Sequence, residues 1–420
     1  MAPIARPDDV RRENLRRILE QLRMQGALSR TQLAADTQLS ASTVTAITGS
    51  LIARGILVEM VDDSQLQGTV SPIAARRGRP PIALGLNPVA ASLAVVTLSI
   101  DRISTVVINY AGNVVVETNA TPDIAALDRD ALIDEIERSL DVVKAKMPGR
   151  TRPFAHITVA VQGVTDAEST SILWSPTTQH RMIDLSTPLS QRFGVDVTVS
   201  NDSNMIAAAL RQAHPDCFGQ SFAAVMLSHG IGMGLFLKGE LFMGAASSAA
   251  EFGHMCHEVG GALCRCGRRG CIEAYAGDYG IWRAATGRNP QDVPIGSLAP
   301  DSIVRLADAA RAGDEKARAA FEKAGTAIGH GLRSLFALID PVPIAFIGVG
   351  TRAFDLMEPQ IRAGLGLRGV GLSHADTPLH CYDDAFELIR QGALLTALMH
   401  LDNTVFADGE FSLGNDRHAS

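Results

Sequence analysis

The segment Gly253–Gly277 reads GHMCHEVGGALCRCGRRGCIEAYAG and holds four of the chain's six cysteines within sixteen residues. No other stretch constrains the fold as tightly. Cys264 and Cys266 flank a single residue, and Cys271 returns after a turn whose Gly267 and Gly270 permit tight backbone. Zinc takes four nitrogen or sulfur ligands in a tetrahedron, and a closed set of protein ligands marks a structural site. Three thiolates on one turn therefore predict a structural metal centre. The fourth ligand comes from the neighbours His254, Cys256 and His257. A redox pair or plain buried thiols suit a Cys-x-Cys beside two histidines less well. Cys217 and Cys381 lie far off and read as ordinary core thiols.

The rest of the sequence sets the context. No apolar run approaches the roughly eighteen residues that cross a bilayer. The opening MAPIARPDDVRRENL lacks the apolar core of a signal peptide. A cytoplasmic location is expected, and disulfides are rare there. Residues 1–88 carry eleven arginines and no lysine against eight acidic residues, whereas the whole chain has a net charge of −7. A mildly basic head on an acidic body suggests a segment that faces nucleic acid.

The head has helical periodicity. Val10, Leu15, Ile18, Leu19 and Leu22 share one face up to Gly26. Ser29 with Gln32 forms a capping-box pattern, and Ser40 opens a third helix with Val44, Ile47, Leu51 and Ile52 inward. Ile56–Val58 then reads as a strand. Three helices and a strand predict a winged helix-turn-helix. The outer face of the third helix carries Ala41, Ser42, Thr43, Thr45 and Ala46, small groups able to touch phosphates, thymine methyls or base edges. Arg16, Arg17, Arg30 and Arg54 are candidate phosphate contacts. Residues 61–81 read as an irregular wing, in which Arg76, Arg77 and Arg79 are placed to enter a minor groove. A protein-docking module and a solvated linker are the plainer readings of these two segments.

After Asn87 strands and helices alternate, which implies an α/β body too large for one simple layer. Four spacings then coincide: NDSN at Asn201–Asn204, HGIGMG at His229–Gly234, EFGH at Glu251–His254 before the cysteine block, and IGVG at Ile347–Gly350. In this order they resemble the family of repressors, open reading frames and sugar kinases, the ROK family, over nearly the whole chain. The resemblance implies an N-terminal winged helix-turn-helix followed by a two-lobed α/β actin-like domain of the sugar-kinase type, with a sugar between the lobes. Residues 1–85 would form the head and residues 86–201 with 390–412 the first lobe. Residues 202–389 would form the second lobe with the metal loop, and 413–420 a disordered tail. It also implies a homodimer or homotetramer that presents paired heads to operator DNA.

The family's own spacing selects His254 as the fourth zinc ligand beside Cys264, Cys266 and Cys271. By resemblance Asn201, Asp202, Glu251, Glu273 and His254 contact the sugar, His254 linking sugar and zinc through its two ring nitrogens. Asp202 matches the kinases' general base. Those kinases hold nucleotide phosphates with an Asp-x-Gly-Gly-Thr loop, and the matching residues here are Thr97-Leu98-Ser99-Ile100-Asp101. Both glycines are replaced, and Asp101 would repel phosphate. Gly230, Gly232 and Gly234, with Gly348 and Gly350, persist, but such turns also serve plain backbone geometry. Gln162, Trp174 and Thr177 stand where family sugar pockets carry proline, glycine and asparagine, so a bulkier ligand or an unused cleft remains open. The expected function is a sugar-responsive transcriptional regulator, most simply a repressor, without catalysis. The alternatives are an active ATP-dependent sugar kinase with an accessory head and a regulator controlled by a protein partner.

Overall fold

The computed structural model describes residues 7–60, 82–100, 102–148, 154–244, 250–294, 298–299, 301–366 and 374–403. The head begins with α1 (Pro7–Gln25), whose Ile18, Leu19 and Leu22 are buried. Helix α2 (Arg30–Thr37) starts at the expected capping box: the Ser29 hydroxyl accepts from the Gln32 backbone, and the Gln32 carboxamide accepts from the Ser29 amide. Gln38, left-handed at φ 57°, turns the chain into α3 (Ala41–Ala53), which Ser40 caps. Strands β1 (Leu28–Ser29), β2 (Leu57–Met60) and β3 (Ala83–Leu86) form an antiparallel sheet with β3 in the centre. This is the winged helix-turn-helix. The expected wing with Arg76, Arg77 and Arg79 and the expected tail 413–420 lie outside the described residues.

The first α/β sheet has the order β11-β7-β4-β5-β6. Its strands are β4 (Ser92–Ser99), β5 (Arg102–Asn109), β6 (Val114–Ala120), β7 (Phe154–Val161) and β11 (Val197–Asn201). Between β6 and β11 run α4 (Arg129–Lys146), the small antiparallel sheet of β8 (Val164–Thr165), β9 (Ser171–Trp174) and β10 (Ile183–Asp184), and α5 (Ser186–Phe193). Strands β4, β7 and β11 are parallel to one another, and β4 and β7 are mostly apolar and almost wholly buried, as strands covered on both faces are.

The chain then enters α6 (Asp202–Ala213) and the four-residue α7 (Pro215–Phe218). The second sheet follows, in the order β14-β13-β12-β15-β16. Its strands are β12 (Phe222–Leu227), β13 (Ile231–Leu237), β14 (Glu240–Leu241), β15 (Ile344–Ile347) and β16 (Leu379–Tyr382). One face is covered by α8 (Glu273–Ala276), α9 (Asp278–Ala285), α10 (Ser302–Arg311), α11 (Glu315–Ile339) and α12 (Phe354–Gly366). The last helix, α13 (Ala385–Asn403), returns to the first sheet and packs on β7 and β4.

Helices α6 and α13 fill the space between the sheets and lie against each other. Their backbones meet closely: a Cβ at Gly392 would stand 1.8 Å from the Met205 carbonyl, so only glycine fits there. A single apolar core runs from Leu19 and Leu33 of the head through Leu398 and Leu401 of α13 to Met205 of α6 and Met226 of β12. The head is docked on that core. In α1, Arg23 donates to Asp402 of α13 at 3.1 Å, and Tyr110, fully buried, donates to the same carboxylate at 2.7 Å.

Two expectations need correction. Cys217 and Cys381 are exposed, not core thiols. In α7 it is Phe218 that turns inward, and Cys381 lies on the edge strand β16. The strand expected at Val195–Val199 is displaced to Val197–Asn201 because its parallel register with β7 runs from Ile157 to Val161.

Candidate functional site

The cleft opens where β11 ends and α6 begins, at the carboxyl ends of parallel strands. It encloses about 650 Å³ of space that merges with solvent. It is lined by Gln162 after β7, Trp174 of β9 and Asn201 of β11, by Asp202 at the start of α6, and by Glu251 and Glu273. The fold brings all five residues expected to meet the sugar, His254 included, onto one surface. Thr177 is not among the lining residues; it is buried against Ser175.

Asn201 is committed to the backbone. Its side-chain oxygen accepts from the Ser203 and Asn204 amides, capping α6, and its amide donates to the Gly163 carbonyl. Asp202 is buried at the first turn of α6, where the helix dipole favours its anion. Burial outweighs that help and the bonds from Ser203, raising its carboxyl to about 7. Glu251 is raised to about 7 as well, first by burial and then by the charge of Glu273. Glu273 starts α8. One of its oxygens accepts from the Ile231 amide at 3.3 Å, and the other accepts from the Tyr279 hydroxyl at 3.3 Å.

The metal-ligand candidates converge. One ligand atom from each of His254, Cys264, Cys266 and Cys271 lies within 4.8 Å of the others, and among the described residues no other such group exists. The Nδ1 of His254 faces Cys264 Sγ at 3.7 Å. Its Nε2 is turned to Glu251 at 3.8 Å, on the cleft side. Burial lowers the His254 pKa, which keeps the imidazole neutral and able to ligate. Burial also pushes the Cys264 thiol well up and that of Cys271 up to about 11. Thiols so placed become thiolates when a cation shares the site. Three sulfurs, one imidazole and mutual distances of this size match a tetrahedral structural centre. Cys256 is exposed and His257 rests against Tyr275 and His330, so neither joins the cluster.

The glycine turn beside the cleft has a packing reason. A Cβ at Gly232 would stand 2.2 Å from the Ser203 hydroxyl, and one at Gly234 would stand 2.3 Å from the Ser203 carbonyl. The opposite strand pair is equally telling. β4 and β5 are paired up to Ser99 opposite Arg102, so only residues 100 and 101 connect them. Asp101 itself lies outside the described residues.

Sequence reasoning missed Arg265. It lies between two metal-ligand cysteines, lines the cleft, stacks 4.3 Å over Tyr279 and donates to the His229 carbonyl. Its position inside Cys-x-Cys was the available signal. In the head, Ala41, Ser42 and Thr45 of α3 are exposed and Thr43 is half-buried. Arg30 is tied to Thr48 at 3.3 Å and to Glu59 at 3.4 Å, and Arg16 pairs with Glu13 and Glu20.

A raised carboxyl has a testable consequence. Asp202 ordinarily titrates near 3.8 but at about 7 when folded, so the folded state holds its proton more tightly. Stability from this group is complete below about pH 4 and is lost as pH rises to about 7, by on the order of 4 kcal/mol. Asp202→Asn is expected to flatten the stability profile between those values. Denaturant unfolding at pH 5 and pH 8 checks this; an unchanged slope would mean that Asp202 ionises freely.

The family model described as the ROK family matches residues 96–365. The xylose repressor of Caldicellulosiruptor bescii is 27% identical over 325 residues, covering 75% of this chain and 77% of the relative. The DNA-binding transcriptional dual regulator NagC of Escherichia coli is 26% identical over 386 residues, covering 90% of each. Among solved structures, a ROK family transcriptional regulator described as a homolog of the Escherichia coli MLC protein superposes with a TM-score of 0.74 at 22% identity, over 96% of this chain and 99% of that one. A ROK family glucokinase from Streptomyces griseus, in complex with glucose and AMPPNP, superposes with a TM-score of 0.57 at 22% identity, over 74% of this chain and 100% of that one.

Proposed function

This chain belongs to the ROK family, and from that premise we propose that it is a DNA-binding transcriptional regulator, most simply a repressor, whose lobed domain senses a sugar and does not phosphorylate it. Its relatives named xylose repressor and N-acetylglucosamine repressor make D-xylose and N-acetylglucosamine the first effectors to try. The protein acts in the cytoplasm as a homodimer or homotetramer, with two α3 helices in successive major grooves. Ala41, Ser42, Thr43 and Thr45 meet base edges there, Arg30 meets phosphates, and Arg76, Arg77 and Arg79 enter a minor groove. Asn201, Asp202, Glu251, Glu273 and His254 bind the effector's hydroxyls. A structural zinc on His254, Cys264, Cys266 and Cys271 fixes two of these, His254 directly and Glu273 through its neighbour Cys271.

The observation that carries the reading is the continuous core from the head through α13 and α6 to the cleft. A ligand that changes how α6 sits has a packed route to α1. Against a kinase stands the direct β4–β5 pairing, which presents no glycine loop to wrap phosphates. Asp202 then occupies the place of a catalytic base without a nucleotide to serve.

Two measurements on the full chain test this. Labelled DNA from upstream of its own gene is expected to bind with an affinity that falls steeply with salt. Incubation with ATP, magnesium and a panel of hexoses and pentoses is expected to give no phosphorylated sugar. Turnover above background would replace the reading with the kinase alternative, and absence of any salt-sensitive DNA preference would refute the DNA-binding role.

A further inference from the structure

Of the five polar residues expected to meet the sugar, Asn201 is committed to backbone groups, and the other four, Asp202, Glu251, Glu273 and His254, all follow β11 in the chain and lie on one side of the cleft. Facing them from the first lobe is Trp174, the last residue of β9 and the one Phe, Tyr or Trp ring that lines the cleft among the described residues. It is half-buried. Its ring meets the His254 imidazole edge-on across the cleft, with centroids 5.8 Å apart and planes at 75°.

The backbone under this ring is fixed. Trp174 pairs with Val164 of β8. Gly163 sits at φ 133°, and a Cβ there would stand 2.2 Å from the Trp174 carbonyl. No other residue fits Gly163. Asn201 holds the Gly163 carbonyl from the other side. The cap of α6 and the Trp174 platform are therefore one unit. An indole so held is a rigid apolar surface that loses little side-chain freedom when something rests on it.

A ligand seated between these walls must be amphipathic, with hydroxyls toward the carboxylates and a C–H face toward the indole. A sugar in its ring form has that shape. An open-chain polyol has the same hydroxyls but no flat face, and it must also be ordered on binding. Resting on the sensor reading above, we propose that Trp174 is a specificity-determining residue that stacks on the ring face of a pyranose and selects cyclic sugars over polyols.

The chain has two tryptophans, Trp174 and Trp282. Trp282 lies on α9 away from the cleft, under Arg288. In full-length Trp282→Phe protein, fluorescence reports on Trp174 alone. Titration with D-xylose and with N-acetylglucosamine is expected to change that emission saturably for at least one of them. Xylitol and N-acetylglucosaminitol are expected to bind at least tenfold more weakly than their parent rings. Trp174→Ala is expected to lose about tenfold in affinity for the ring, by thermal shift, and to narrow its margin over the polyol. Trp174→Phe is expected to recover most of both, and the metal content of each variant is expected to match that of the parent.

The outcomes separate. If neither sugar shifts the melting of the parent protein, the sugar-sensor reading fails and this inference fails with it. If a sugar shifts melting while Trp174 emission stays constant, the sensor reading stands and the stacking role is refuted. Equal ring and polyol binding by the parent protein and by Trp174→Ala refutes it as well.

Discussion

If the proposed zinc centre is right, replacing Cys271 with serine abolishes stoichiometric zinc and unfolds the loop that carries half of the cleft's polar wall. The thiolate is one of four donors within 4.8 Å, and a structural zinc contributes on the order of 10 kcal/mol in apparent terms. A hydroxyl does not replace it as a soft ligand. Hydrogen bonds such as Arg283 to the Leu263 carbonyl tie the loop to its neighbours, but it has little apolar support of its own. Its own buried cluster contains only Ala262, Cys264, Cys271 and Ala274, two of them metal-ligand candidates. Glu273 follows Cys271 by two residues and Cys264 neighbours its carboxylate at 3.5 Å, so both lose their anchor together. The expected readouts are the loss of metal by elemental analysis, a fall of several degrees in melting temperature and the loss of any sugar-induced shift. The winged head is built from a different part of the core and should keep its helical signal. A serine variant that retains sugar binding would show that the loop folds without its metal.

Asp402→Ala is expected to destabilise the protein by about 3–5 kcal/mol, since it leaves a buried guanidinium without its counter-ion. The side chains of Arg23 and Asp402 are 10% and 6% exposed, and both guanidinium NH groups approach the carboxylate at 3.1 Å. Tyr110 donates to the same carboxylate, so that hydrogen bond is lost as well. The intact pair contributes less than this figure suggests. Burial outweighs the attraction of Arg23 and raises the Asp402 carboxyl to about 6. Replacing both partners with apolar groups, Arg23→Met with Asp402→Leu, is therefore expected to restore most of the stability. Urea unfolding of the single and double variants measures the difference. Equal losses in both would locate the effect in the shape of α13, not in charge.

The joint also shows where sequence reasoning ends. Arg23 and Asp402 are separated by 379 positions, and nothing near either residue announces the other. Local signals were legible because their physics is local. Ser29 with Gln32 and Ser40 with Thr43 are caps settled within four residues, and both helices start where the caps place them. The metal cluster was legible for the same reason, since three of its donors share one turn. Strand ends were less so. β11 runs to Asn201 because its partner β7 runs to Val161, and that register is a tertiary fact. The small sheet of β8, β9 and β10 escaped detection because its strands span only two to four residues. The platform role of Trp174 depends on that sheet, so the residue could be noticed in sequence but not placed. Arg265 has no local signal beyond its place between Cys264 and Cys266, because its contacts with Tyr279 and His229 are tertiary.

A sensor of this kind requires linkage between cleft and head. The direct measurement is the affinity of the full-length protein for upstream DNA, by fluorescence anisotropy at fixed salt, without and with saturating D-xylose or N-acetylglucosamine. An effector sugar is expected to weaken DNA binding by about 5- to 150-fold, and DNA to weaken sugar binding by the same factor. Saturation of the cleft with no change in DNA affinity would contradict that linkage.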